Sequence, residues 1–149
     1  MVRGRGIREL RGSESILVFD DEQVILDFLA EVLTREGYRV TTTPCGDEAL
    51  ELFARHSFDL AIADLGLRRR DGRDLVRRIK QLSPQTSVVA MSAYPAKEAI
   101  SFAEGHTEAF LTKPFGMGEL LSAVRQALGQ QLLPEVGHAR ALVPAKAYQ

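Results

Sequence analysis

Along residues 15–129, short apolar runs alternate with longer stretches whose apolar positions recur at helical spacing. Ser15–Phe19 is a run too short for a helix and closed by acids, which predicts a buried strand. Between Glu22 and Glu36 the residues Ile25, Phe28, Leu29, Val32 and Leu33 fall on one helical stripe, and Gly37 supplies the stop. On that phase Val24 and Leu26 lie off the core stripe. The β-branched run from Tyr38 to Thr43 ends at Pro44 and suits a strand near the sheet edge. The alternation continues with a helix from Gly46 to His56 that turns Ala49, Leu50 and Phe53 inward, and a strand from Phe58 to Ala63. A helix from Asp71 to Leu82 follows, with Leu75, Val76 and Ile79 inward, then a strand from Thr86 to Met91. A short helix from Pro95 to Glu104 is expected to stop at Gly105, before a fifth strand from Thr107 to Thr112. The last helix runs from Gly116 to Leu128, with Leu120, Leu121, Val124 and Leu128 inward, and Gly129 closes it.

Five βα units with short connections predict an α/β, doubly wound parallel sheet with helices on both faces. Strands buried on both sides read as continuous apolar runs, as these do. The expected strand order is the flavodoxin-like 2-1-3-4-5, with a cleft beside the first and third strands. Residues 14–130 form one domain on this reading. Residues 1–13, rich in Gly and Arg, read as a flexible leader, and residues 131–149 as a tail or linker remnant too short for an output module.

Composition narrows the classes without choosing among them. A chain of 149 residues with 45% hydrophobic and 26% charged residues has the makeup of an ordinary globular protein. A net charge of −1 gives no global attraction to nucleic acid or anionic membrane. No run approaches the roughly 20 apolar residues of a membrane span. A single cysteine, Cys45, excludes an internal disulfide framework and reads as a small part-buried residue. A cytoplasmic location is the expectation.

The chemistry lies where the apolar runs end. Asp20-Asp21 follows Ile16–Phe19, Asp64 follows Leu60–Ala63, Ser92 follows Val88–Met91, and Lys113-Pro114 follows Phe110–Thr112. In an open α/β sheet these carboxyl ends share one rim. Three carboxylates there repel one another, a conflict that a hard divalent cation removes, and oxygen ligands favour Mg²⁺. Lys113 offers a counter-charge and Ser92 a hydroxyl donor. Together they suit in-line phosphoryl transfer, with Asp64 as a carboxylate nucleophile.

With Asp71-Gly72, Met91-Ser92-Ala93 and Phe110–Phe115 added, residues 15 to about 130 resemble a response-regulator receiver domain of two-component signalling, the CheY-like family. The resemblance implies that Asp64 accepts a phosphoryl group from a phosphohistidine. It implies Mg²⁺ bound by Asp21, Asp64 and the Gly66 backbone carbonyl, with Asp20 acting directly or through water. Lys113 would contact the phosphoryl group, and its bond to Pro114 would be cis. Ser92 would move toward the phosphoryl oxygens and make room for Phe110 to turn inward, altering a face made by the fourth helix, fifth strand and fifth helix. The implied partners are a histidine kinase or histidine phosphotransfer domain and a downstream protein, with no direct nucleic-acid or membrane contact. The implied role is a phosphorylated switch rather than a turnover enzyme.

Several positions depart from the commonest family pattern. Leu67-Arg68 replaces Met-Pro, Ser92 replaces threonine, and Phe110 replaces tyrosine. Tyr94 either obstructs an attacking water or packs on its loop. Arg68-Arg69-Arg70, with Arg73, Arg77 and Arg78, reads as a solvated face, as do Asp27 and Glu31 on the first helix. His56, His106 and His138 show no metal-ligand spacing. Val24 and Leu26, off the stripe and beside the acidic end, suit docking of a histidine-bearing helix. Two alternatives remain: a Mg²⁺-dependent phosphatase using Asp64, and a pseudo-receiver that is never phosphorylated. Gly66 stands where such phosphatases place a second aspartate, and the full set of Asp20, Asp21, Asp64, Ser92 and Lys113 weighs against the pseudo-receiver. The chain would be either a free-standing regulator or a relative of a hybrid-kinase receiver.

Overall fold

A computed structural model describes residues 14–66, 72–93 and 97–129. Strands β1 (Ser15–Phe19), β2 (Arg39–Thr43), β3 (Leu60–Asp64), β4 (Ser87–Ser92) and β5 (Ala109–Thr112) alternate with helices α1 (Gln23–Arg35), α2 (Gly46–Arg55), α3 (Gly72–Leu82), α4 (Lys97–His106) and α5 (Met117–Leu128). The strands form one parallel sheet in the order β2-β1-β3-β4-β5, the order expected. Strand order reverses between β1 and β3, whose register pairs Phe19 with Ala63. That pairing sets Asp20 beside Asp64.

Alternation along each strand divides the core in two. Ile16, Val18, Ile62, Val89 and Met91 face α1 and α5, packing with Leu29, Leu33, Leu120 and Val124. Leu17, Phe19, Ala61, Val88 and Ala90 face the other helices, among Phe53, Val76, Ile79 and Phe102. At the amino-terminal edge of the sheet, Glu108 fixes the start of β5. Its carboxylate accepts from Val88 N at 2.7 Å and pairs with Lys80 Nζ at 3.3 Å, while Lys80 also donates to the Thr86 carbonyl.

The structure corrects four local expectations. Helix α1 is rotated relative to the expected stripe: Leu26 is 1% exposed and belongs to the core, whereas Phe28 is 38% exposed. Ile25, Leu26, Phe28 and Leu29 are all apolar, so the sequence permits two phases about 100° apart, and contact with the sheet selects the row through 26, 29 and 33. Phe28 instead rests against Phe115, with ring centroids 6.4 Å apart. Gly105 lies within α4 and does not stop it. There the His106 Nδ1 and Thr107 Oγ1 bond the carbonyls of Phe102 and Ala103, at 2.9 and 2.8 Å, so the end needs no left-handed glycine. Gly37 and Gly129 do adopt positive φ, 96° and 73°, where helices end as expected. Cys45 is exposed, because it stands outside the first turn of α2 and not under it. Tyr38 is a core residue ahead of β2 and not its first strand residue.

The arginine run 68–70, Asp71, Tyr94, Pro95, residues 1–13 and the tail from 130 lie outside the described residues. No helix among the described residues is long and apolar enough to cross a membrane.

The phase of α1 is directly testable. Leu26→Ala should lower the unfolding free energy by about 2–5 kcal/mol and Phe28→Ala by about 1 kcal/mol, measured by urea denaturation. The reverse ranking would mean that the helix buries the other stripe.

Candidate functional site

The rim at the carboxyl ends of β1, β3 and β5 gathers the acidic fragments and the lysine. Asp20 leaves β1 with its N–H still donating to the Thr43 carbonyl of β2 at 3.3 Å, and its side chain is wholly buried. Its Oδ1 accepts from Glu22 N at 2.8 Å, a tight turn that starts α1 and leaves Asp21 exposed at the mouth. Asp64 ends β3, and its Oδ1 accepts from Gly66 N at 2.8 Å. Carboxylate oxygens of Asp20, Asp21 and Asp64 all lie within 4.8 Å of one another.

Lys113 reaches this group from the far side of the sheet, beyond β3 and β4. Its backbone N–H donates to the Ser92 carbonyl at 2.9 Å, and its bond to Pro114 is cis, as the family resemblance implied. The ammonium sits 2.7 Å from Asp20 Oδ2, 3.6 Å from Asp64 Oδ2 and 3.6 Å from Glu22 Oε1. Glu22 was not among the expected site residues. The signal was its place as a third consecutive acid after Asp20-Asp21.

Burial governs the charges. Desolvation pushes the Asp20 carboxyl above its ordinary range, and Asp64 adds to it, against the opposing pull of Lys113 and the Glu22 N–H. Desolvation likewise raises Asp64, with Asp21 adding and Lys113 opposing. Burial pulls the Lys113 ammonium down, but contact with Asp20 and the charges of Asp64 and Glu22 outweigh it, so the net shift is upward. The surroundings thus favour the charged form of the lysine and disfavour the ionised forms of the two aspartates.

These features fit a hard divalent cation. Asp20 Oδ2 is buried and is met by the Lys113 ammonium at 2.7 Å. Three carboxylates against one lysine leave an excess of negative charge, and every donor is oxygen.

Two glycines shape the space around Asp64. A Cβ on Gly66 would lie 3.0–3.1 Å from both Asp64 carboxylate oxygens, so the bare backbone keeps that side open. A Cβ on Gly72 would collide with the Asp64 carbonyl and the Leu65 backbone. Helix α3 thus starts in direct contact with the strand end that carries the carboxylate.

Ser92 is buried at the end of β4, one position past Met91, the register partner of Asp64. Phe110 is 0% exposed and sits in the core cluster that contains Phe102 and Ala103. A phenyl ring has no hydroxyl to keep in water, so any switching here starts from an enclosed ring. His56 and His106 are exposed at other places, and neither joins the cluster.

One outcome follows from the charge balance and one from the glycine contact. Both aspartates have folded-state pKa values above their unfolded ones, so they bind protons more readily when folded. Their contribution is therefore favourable at acid pH and is lost as pH rises through the folded values. Without metal at pH 7, Asp64→Asn should raise stability by about 1 kcal/mol in urea unfolding, and the gain should shrink as pH falls toward 4. Gly72→Ala should lower the unfolding free energy by about 1–3 kcal/mol and weaken Mg²⁺ binding in a titration, because the Asp64 backbone must move. Unchanged Mg²⁺ affinity would show that the contact does not position the carboxylate.

A family model for the response regulator receiver domain matches residues 16–125. The chain is 34% identical over 116 residues to the transcriptional regulatory protein GlrR of Escherichia coli, covering 77% of this chain and 26% of that protein. It is 34% identical over 119 residues to the transcriptional regulatory protein PdtaR of Mycobacterium tuberculosis, covering 77% of this chain and 57% of that one. The chain thus spans only part of these curated relatives. Among solved structures, a CheY-like receiver domain protein from Methanospirillum hungatei superposes with a TM-score of 0.75 at 27% identity, over 80% of this chain and 96% of that one. The signal receiver domain of an HD domain-containing protein from Pseudomonas fluorescens gives 0.73 at 34% identity, over 78% and 95%. The chain therefore belongs to the response regulator receiver domains, the signalling modules of two-component systems.

Proposed function

We propose that Asp64 accepts a phosphoryl group from a phosphohistidine on a histidine kinase or phosphotransfer protein. The observation that carries this reading is the Lys113 ammonium lying 2.7 Å from Asp20 and 3.6 Å from Asp64 within one cluster of carboxylates. In the transfer, an Asp64 oxygen attacks phosphorus and the P–N bond breaks. The imidazole nitrogen keeps the electron pair and takes a proton, leaving an acyl phosphate on Asp64. Lys113 compensates the charge of the transferred group, and Ser92 donates its hydroxyl to a phosphoryl oxygen. Asp20, Asp21, Asp64 and the Gly66 carbonyl would hold Mg²⁺, which neutralises charge on the phosphoryl oxygens when bound. The face of α4, β5 and α5, with Phe110 inside it, carries the signal to a protein target.

Gly66 offers no side chain for protonating a leaving group, which supports a switch over a phosphatase. The approach surface for the phosphohistidine is the outer row of α1. Val24 is 73% exposed there, and Phe28 continues the row toward Phe115, two residues after Lys113. This row replaces the expected pair Val24 and Leu26, and it suits an amphipathic helix laid across the mouth of the cleft.

Intact-mass measurement after incubation with Mg²⁺ and acetyl phosphate should show one added phosphoryl group, labile to hydroxylamine and absent in Asp64→Asn. No adduct from small donors or from a cognate kinase would support a pseudo-receiver, and many turnovers of an organic phosphate would support a phosphatase. Val24→Glu should slow transfer from a phosphohistidine protein by about tenfold relative to transfer from acetyl phosphate. Equal slowing with both donors would remove α1 from the docking surface.

A further inference from the structure

Among the described residues, Glu22 is the acid paired with Lys113 that the phosphoacceptor reading leaves without a role. Its Oε1 stands 3.6 Å from the ammonium, the same distance as Asp64 Oδ2. The two acids differ in exposure. The Asp64 side chain is 10% exposed, whereas that of Glu22 is 61% exposed and lies toward solvent. The lysine between them is 10% exposed, so its pair with Glu22 is half desolvated and is screened less than an ordinary surface pair.

The backbone holds Glu22 in this position. Its N–H donates to Asp20 Oδ1 at 2.8 Å, and its carbonyl accepts from Ile25 N and Leu26 N as α1 begins. The carboxylate therefore projects from a hydrogen-bonded turn and already lies within ion-pair distance of the ammonium.

Three carboxylates compete for one ammonium. Asp20 is nearest, at 2.7 Å, and its carboxylate also belongs to the cluster that fits a cation. Once a cation engages Asp20, the remaining claims on Lys113 come from Asp64 and Glu22 at equal distance. We propose that Glu22 is a positioning residue for Lys113: its carboxylate draws the ammonium toward the mouth of the cleft and withholds part of the lysine's charge from Asp64. The rate at which Asp64 takes a phosphoryl group is then set partly by an acid outside the metal cluster.

This inference rests on Asp64 being the acceptor, and two substitutions of Glu22 test it. Glu22→Gln keeps the side-chain length and removes the charge. Glu22→Asp keeps the charge and withdraws it by one methylene. Both should raise the initial rate of adduct formation from acetyl phosphate at saturating Mg²⁺ by roughly two- to fivefold. Both should also shift the Lys113 Nζ resonance in NMR spectra recorded without phosphodonor. A faster Glu22→Gln beside a wild-type Glu22→Asp would mean that Glu22 merely repels an anionic donor, which overturns the proposal. Unchanged or slower rates in both variants overturn it as well. Should the wild-type protein form no adduct, the acceptor reading fails separately, and the Lys113 resonance decides the pairing: a shift in both variants supports it, and no shift rejects it.

Discussion

The contact on which the rim depends is the one between the Lys113 ammonium and the buried carboxylate of Asp20. Asp20 is enclosed at the end of β1, and Lys113 enters from the end of β5, with β3 and β4 lying between. Without the lysine, Asp20 and Asp64 would be two adjacent anions in a desolvated notch, a costly arrangement. With it, one cation serves several acids and the rim keeps a surplus of negative charge. That surplus disfavours the rim on its own and suits it to a divalent cation. Stability and function pull against each other here, as is common at sites built for charged ligands.

The rest of the fold supplies rigidity to that notch. The close approach of Gly72 to the Asp64 carbonyl joins α3 to the strand end, and the Glu108–Lys80 contacts fix the opposite end of β5. Helix α1 serves both purposes. Its inner row, with Leu26, Leu29 and Leu33, is core, while its outer row, with Val24 and Phe28, stays accessible beside the cleft. Phe28 touches Phe115, two residues after Lys113, so the accessible row is in contact with the loop that carries the lysine.

Much of this was legible in the chain because parallel α/β sheets obey strong rules. Each strand is buried on both faces and reads as an apolar run, and each run ends where a functional side chain can stand. Asp20, Asp21, Asp64, Ser92 and Lys113 were singled out that way, and the structure brings the four charged ones together. The phase of α1 was not legible, because four apolar residues between positions 25 and 29 suit either of two stripes. Nor was the end of α4, where side chains of His106 and Thr107 satisfy the last carbonyls in place of Gly105.

The sequence by itself determined the element order, the parallel sheet and the residue types on its rim, since hydrophobic periodicity and chain connectivity are local properties. Tertiary structure alone decided how one ammonium is divided among Asp20, Asp64 and Glu22, and which apolar row of α1 faces out. It also decided that Phe110 lies fully enclosed and that Gly72 touches the Asp64 backbone. These depend on distances between residues far apart in the chain and on the water excluded between them, and neither is written in the order of the amino acids.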